Sequence, residues 1–217
     1  MSKPGRSFSS KKRNRQNRKE KPLMIITAEG KNETEARYFN NFKTADCPYI
    51  IKFHKAGHLT DPTKLAESIR KRWIAEDADT RTGDMAFVVV DLDNKESKAK
   101  EIQQLEAKSS VEKFIVSNPC FEVWYLLHYE YSTRSYMNAD AVIRELKKHY
   151  PQYEKTSDMY QLLMDRMSEA IVNAEKLENY HNTEKHANTD VKCNPYTDVH
   201  KIVVMLRSEK NGSRTNL

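Results

Sequence analysis

Leu23-Met24-Ile25-Ile26-Thr27-Ala28-Glu29-Gly30 and Met85-Ala86-Phe87-Val88-Val89-Val90-Asp91-Leu92-Asp93-Asn94 are the two stretches that decide the fold. Each is a short apolar run that breaks into an acidic turn. Neither alternates apolar with polar residues, so each reads as a strand covered on both faces, as in a parallel sheet. Such a sheet delivers the C-terminal ends of all its strands to one edge, where ligands bind. The carboxylates at the ends of the two runs are therefore expected to converge. Residues two apart in an extended segment point the same way, so Asp91 and Asp93 are expected to face one ion together, the alternative being an Asx-rich turn at Asp93-Asn94. Convergent carboxylates repel one another unless a cation joins them, and an all-oxygen donor set suits Mg²⁺ or Mn²⁺.

The surrounding pattern supports this reading. After Glu29-Gly30, Asn32 with Glu35 three residues on makes a capping box, opening a helix through Ala36, Tyr38, Phe39 and Phe42. A strand is expected over 49–53, and Asp61-Pro62 opens a helix with Leu65, Ile69 and Trp73 at helical spacing. A polar helix over 97–108 and a strand over 113–116 follow the second acidic turn. This alternation of strand and helix predicts the α/β class, with a mostly parallel sheet flanked by helices. Only helices are expected after Pro119, over 119–129, 138–149, 158–179 and 197–207, with a polar, histidine-rich loop over 180–194. The expected organisation is a basic arm (1–21), an α/β core (22–130) and a C-terminal helical extension packed on it (131–217).

Charge is divided unevenly. Of the net +6, residues 1–21 hold nine Lys/Arg against one acid, so the rest of the chain is slightly negative. Lys11, Lys12, Arg13, Arg15, Arg18 and Lys19 mark the arm as a polyanion-binding segment, the alternative being a solvated tail. Cys47, Cys120 and Cys193 form no Cys-x-x-Cys pair, which argues against zinc and for a reducing, cytoplasmic setting. No run reaches the roughly 18 apolar residues of a membrane span. Neither the P-loop nor the dinucleotide glycine pattern is present, and the seven histidines lack metalloprotease spacing.

Glu122 supplies a third acidic element. It lies in Ser117-Asn118-Pro119-Cys120-Phe121-Glu122-Val123-Trp124-Tyr125-Leu126-Leu127-His128, where Asn118 suits a cap and Pro119 the first helical position. The helix is apolar nearly all round and so is expected to be buried. A buried carboxylate needs a cation or a basic partner. A metal site and a Lys/Arg pair are the two alternatives, and the helix's position at the same sheet edge favours the metal. Tyr136, Tyr150, Tyr153 and Tyr160 read as helix packing in preference to nucleobase stacking.

These residues resemble the Toprim fold of topoisomerases, primases and OLD-type nucleases and, more specifically, the RloB-like family of phage-defence and abortive-infection proteins. The likeness rests on the arm before Glu29-Gly30 with Thr34-Glu35 and Tyr38-Phe39; on Val90-Asp91-x-Asp93; on Asn118-Pro119-Cys120-Phe121-Glu122-Val123-Trp124; and on Asn194-Pro195-x-Thr197-x-Val199-His200-Lys201. The spacing from Glu29 to Thr34-Glu35 is longer than the family pattern, which leaves Glu33 and Glu35 as alternatives for a further carboxylate. The resemblance implies a Mg²⁺-dependent phosphodiesterase with Glu29, Asp91, Asp93 and Glu122 as its site, working with an ATPase partner of RloA type. Two other readings stand beside it: a nucleic-acid-binding or effector subunit without catalysis, and a nucleotidyl transferase of primase type. Nucleic acid is the expected partner in each case, self-association is open, and no membrane contact is expected.

Overall fold

The computed structural model describes residues 21–30, 33–184, 186 and 189–208. Five strands form one sheet: β1 (Leu23–Ala28), β2 (Ile50–Phe53), β3 (Met85–Asp91), β4 (Glu112–Asn118) and β5 (Tyr196–Thr197), in the order β2-β1-β3-β4-β5. The first four are mutually parallel. The helices are α1 (Glu33–Asn40), α2 (Pro62–Ala75), α3 (Glu96–Lys108), α4 (Glu122–Leu126), α5 (Ala139–His149), α6 (Met159–Leu163), α7 (Met167–Thr183) and α8 (Val199–Arg207). The protein is an α/β fold, as the sequence predicts.

The missing alternation in β1 and β3 has a simple cause. Leu23 and Ile25 join Ala86, Val88 and Val90 in a core closed by α2 and α3. Met24, Ile26 and Ala28 join Phe87 and Val89 on the opposite face, under α1 and the helices that follow β4. Successive side chains therefore enter two different cores, and every position must be apolar.

The second core centres on Tyr38, whose ring meets those of Phe39, Phe42, Phe121, Trp124, Tyr125 and Tyr160 at centroid distances of 5.5–6.5 Å. Its hydroxyl donates to Met167 Sδ at 3.3 Å. Tyr38→Ala is expected to destabilise the fold by about 3–5 kcal/mol in denaturant titrations, by analogy with other buried aromatic truncations. Tyr38→Phe, which keeps the ring, is expected to cost about 1 kcal/mol or less.

Four expectations change after Pro119. The chain holds a fifth strand, because Tyr196-Thr197 pairs antiparallel with Asn118 and Ser117, and Thr197 Oγ1 meets Ser117 Oγ at 2.8 Å. Tyr196-Thr197, expected as part of a helical extension, thus belongs to the sheet itself. The helix expected over 119–129 begins only at Glu122, because Asn118 ends β4 and its side chain serves other partners. The helix expected over 158–179 is broken by a single 3₁₀ turn, Met164–Arg166. Met159, Leu163, Met167, Ala170, Ala174 and Leu177 stay buried throughout, so the apolar spacing carries no sign of the break. The region expected as loop starts later than Tyr180, since α7 runs to Thr183. Among the described residues, no helix is long and apolar enough to cross a membrane.

Candidate metal centre

The parallel strands carry their acids to one edge. Glu29 follows β1 directly, and Gly30 turns the chain at φ +64°, its N–H donating to Leu59 O at 2.7 Å. Asp91 is the last residue of β3, in register with Ser117 of β4. Glu35 lies on α1 and Glu122 opens α4; both are buried. Glu29, Glu35 and Glu122 each lie within electrostatic reach of Asp91, and Glu29 and Glu122 within reach of Glu35.

Their titration reflects that crowding. Burial pushes Asp91 well above the usual carboxylate range; Glu29, Glu35 and Glu122 push it further, and Lys98 opposes them. Burial likewise raises Glu35 to about 7, with Glu122 and Glu29 adding to the effect and Lys155 opposing it. Glu29 is raised by burial, against the pull of Lys98. Asp91 as a whole is partly exposed, but its Oδ1 is sealed from solvent without a hydrogen-bond partner.

Two cations serve this set. The buried Lys98 Nζ donates to Glu29 Oε2 at 2.5 Å and to the Asp91 carbonyl, and stands 4.0 Å from Asp93 Oδ2. Burial pulls the Lys155 ammonium down, but Glu122, Asp91, Cys120 and Glu35 outweigh it, so its affinity for a proton rises. Glu122 Oε1 accepts a hydrogen bond from Tyr153 at 2.9 Å, and burial followed by Glu122 raises that phenol. Glu122 therefore has a tyrosine hydroxyl as its direct partner, with the nearby Lys155 contributing through charge.

Asp93 is placed differently from the other acids. Asp93 and Asn94 have left-handed φ values of 52° and 57°, so the segment past Asp91 is a turn, and the extended geometry expected of Asp91-x-Asp93 does not hold. The Asp93 side chain is 38% exposed and lies 3.1 Å from Lys95 Nζ, at the rim beside Glu29 and Lys98. The backbone of this turn is tied to the end of β4: Leu92 N–H donates to Ser117 O, Asp93 N–H to Pro119 O, and Asn94 N–H to Asn118 Oδ1. The side chain of Glu33, the proposed cap Asn32 and residues 1–20 of the basic arm lie outside the described residues.

The donor set suits a hard divalent cation. Four carboxylates face two ammoniums, which leaves a shortfall of two positive charges when all four are ionised. The unpartnered Asp91 Oδ1 is a second mark in favour. Among the described residues, no three His, Cys, Asp or Glu side chains are already gathered into a ligand set. Holding an ion there would require Glu29, Glu35 or Glu122 to turn toward Asp91.

Sequence reasoning missed Lys98, Tyr153 and Lys155. Lys98 carried a readable signal: it stands at i, i+4 and i+7 with the buried Ile102 and Leu105, a charged residue on the apolar stripe of α3. Tyr153 and Lys155 follow α5 in an irregular segment with no pattern to read.

A family model described as RloB-like protein matches residues 24–206. The chain belongs to the RloB-like family. No curated protein and no solved structure matches it. The RloB-like region runs from β1 into α8 and takes in all four clustered acids, Asp93, Lys98 and the Asn194-Pro195 segment. It leaves residues 1–23 outside.

Proposed function

We propose that the protein is a metal-dependent phosphodiesterase acting on nucleic acid, in a bacterial anti-phage system with an ATPase partner of RloA type. The observation that carries this reading is the Asp91-centred group of four mutually repelling carboxylates, short of positive charge, at the sheet edge where α/β folds bind ligands. Asp91, Glu29 and Glu122 would hold Mg²⁺ or Mn²⁺, with Glu35 adding a carboxylate from α1 and Asp93 one from the rim beside Glu29 and Lys98. A divalent ion held there would supply activation of water at neutral pH and offset charge on the phosphate. Lys98 keeps Glu29 oriented and is the fixed positive charge of the site.

A second reading, a nucleic-acid-binding or effector subunit without catalysis, is favoured by one observation: Lys98 already stands between Glu29 and the Asp91 carbonyl. The two are separated by incubating the purified protein with DNA and RNA, with and without Mg²⁺ or Mn²⁺, alone and with the ATPase. Metal-dependent cleavage in any of these mixtures supports the enzyme. Binding without cleavage in all of them supports the subunit.

Residues 1–21 are assigned to non-specific contact with phosphates. Deleting them is expected to weaken nucleic-acid affinity and flatten its dependence on salt, each lost phosphate contact reducing the log–log salt slope by about one. An unchanged slope in binding titrations would show the arm to be a solvated tail.

A further inference from the structure

The sequence contains two Asn-Pro pairs, Asn118-Pro119 and Asn194-Pro195, neither of which supplies an acid or an ammonium to the candidate metal centre. Both asparagines end at the same place, the acidic turn after β3. Asn118 Oδ1 accepts from the Asn94 N–H at 3.1 Å, while its Nδ2 donates to Val191 O and Cys193 O at 3.0 and 2.9 Å. Asn194 Nδ2 donates to Asn94 Oδ1 and to Tyr136 O, both at 2.7 Å, and its Oδ1 accepts from the Tyr136 N–H at 2.9 Å. Asn94 Nδ2 completes the set with bonds to Tyr136 O and Met137 O at 3.1 and 2.9 Å.

The turn needs such support. Two successive left-handed non-glycine residues each carry a cost of about 1–2 kcal/mol, and strained turns of this kind persist only where their surroundings over-determine them. The residue types also suit the place. An amide offers donor and acceptor together and brings no charge, whereas a carboxylate would deepen the negative field around Asp91, and a lysine would compete with an entering cation for its ligands.

We propose that Asn94, Asn118 and Asn194 are positioning residues of the metal centre, fixing the turn so that Asp93 faces the ion held at Asp91. This rests on the metal-dependent reading of the site. It gives the Asn194-Pro195 segment, 100 residues beyond the turn, a direct part in the chemistry: the site is assembled by the segment before β5 as much as by β3 and β4.

The test is a double-mutant cycle read on metal affinity. Asn94→Gly removes only the side-chain bonds, because glycine adopts the left-handed backbone without strain. It and Asn194→Ala are made in the wild type and in Asp93→Asn, which keeps a residue tolerant of that backbone but removes the charge. Mn²⁺ affinity is measured by titration, with the metal-free Tm recorded alongside. Each clamp variant is expected to weaken Mn²⁺ binding about tenfold in the wild type, as for other groups that orient metal ligands. In Asp93→Asn the further loss is expected to fall below about twofold, because the group being positioned is gone. A merely structural role would lower the Tm equally in both backgrounds and leave the ratio of affinities unchanged. Unaltered affinity, or the same fold-loss in both backgrounds, overturns the inference while the metal reading stands. A wild type that binds no Mn²⁺ overturns both. If Asn194→Ala does not fold, Asn94→Gly decides the matter alone.

Discussion

Asp91→Asn is expected to abolish cleavage and the stabilisation by Mg²⁺, while leaving the metal-free protein as stable as the wild type or more so. The wild-type carboxyl is crowded by Glu29, Glu35 and Glu122, and its Oδ1 has no partner. The amide has the same shape and no charge, so the repulsion disappears with the metal site. At metal concentrations of about 100 Kd the wild type gains about 2.7 kcal/mol that the variant lacks, visible as a Tm difference in thermal melts with and without Mg²⁺. Nucleic-acid binding is expected to hold, because the basic arm and not Asp91 is assigned to carry it. Cleavage is assayed alone and with the ATPase. Full cleavage by the variant in either mixture would remove Asp91 from the mechanism.

The second large effect is on pH. Glu35, raised to about 7, and Asp91 and Glu29, raised as well, hold protons in the native state that the unfolded chain has already released. Their contribution to stability is complete below the unfolded carboxyl range and is lost as pH rises through their native values. The metal-free protein should therefore lose stability between about pH 5 and pH 8, with Glu35 alone responsible for a change on the order of 3 kcal/mol. Mg²⁺ replaces those protons, so its stabilising effect should grow over the same range. Denaturant titrations across the range check both slopes, and Glu35→Gln should flatten the metal-free one. A metal-free stability that rises toward pH 8 would contradict the crowding described for this site.

How much of this could be read from the sequence depended on how local the cause was. The buried strands and the acids at their ends were legible because a strand covered on both faces admits only apolar residues, and the polar residue that ends the run marks the sheet edge. Glu122 stood out because it is the one acid in an apolar helix. Glu35 reads as a cap and, with Glu33, as an alternative for a further carboxylate; its inward placement depends on how α1 packs against α4, which no spacing reveals. Asp93-Asn94 suits an Asx-rich turn as well as an extended segment, since both residue types tolerate the left-handed region; what decides between them are bonds from Asn118 and Asn194, distant in the chain. The fifth strand is two residues long, too short for any period to show.

Calorimetric titration of the wild type with Mn²⁺ is the decisive measurement of whether Glu29, Glu35, Asp91 and Glu122 form a divalent-metal centre. Saturable binding is expected, tightening from about pH 6 to pH 8 and releasing protons as the raised carboxyls give them up. Absence of binding at millimolar Mn²⁺ across that range, or binding without pH dependence, would contradict it.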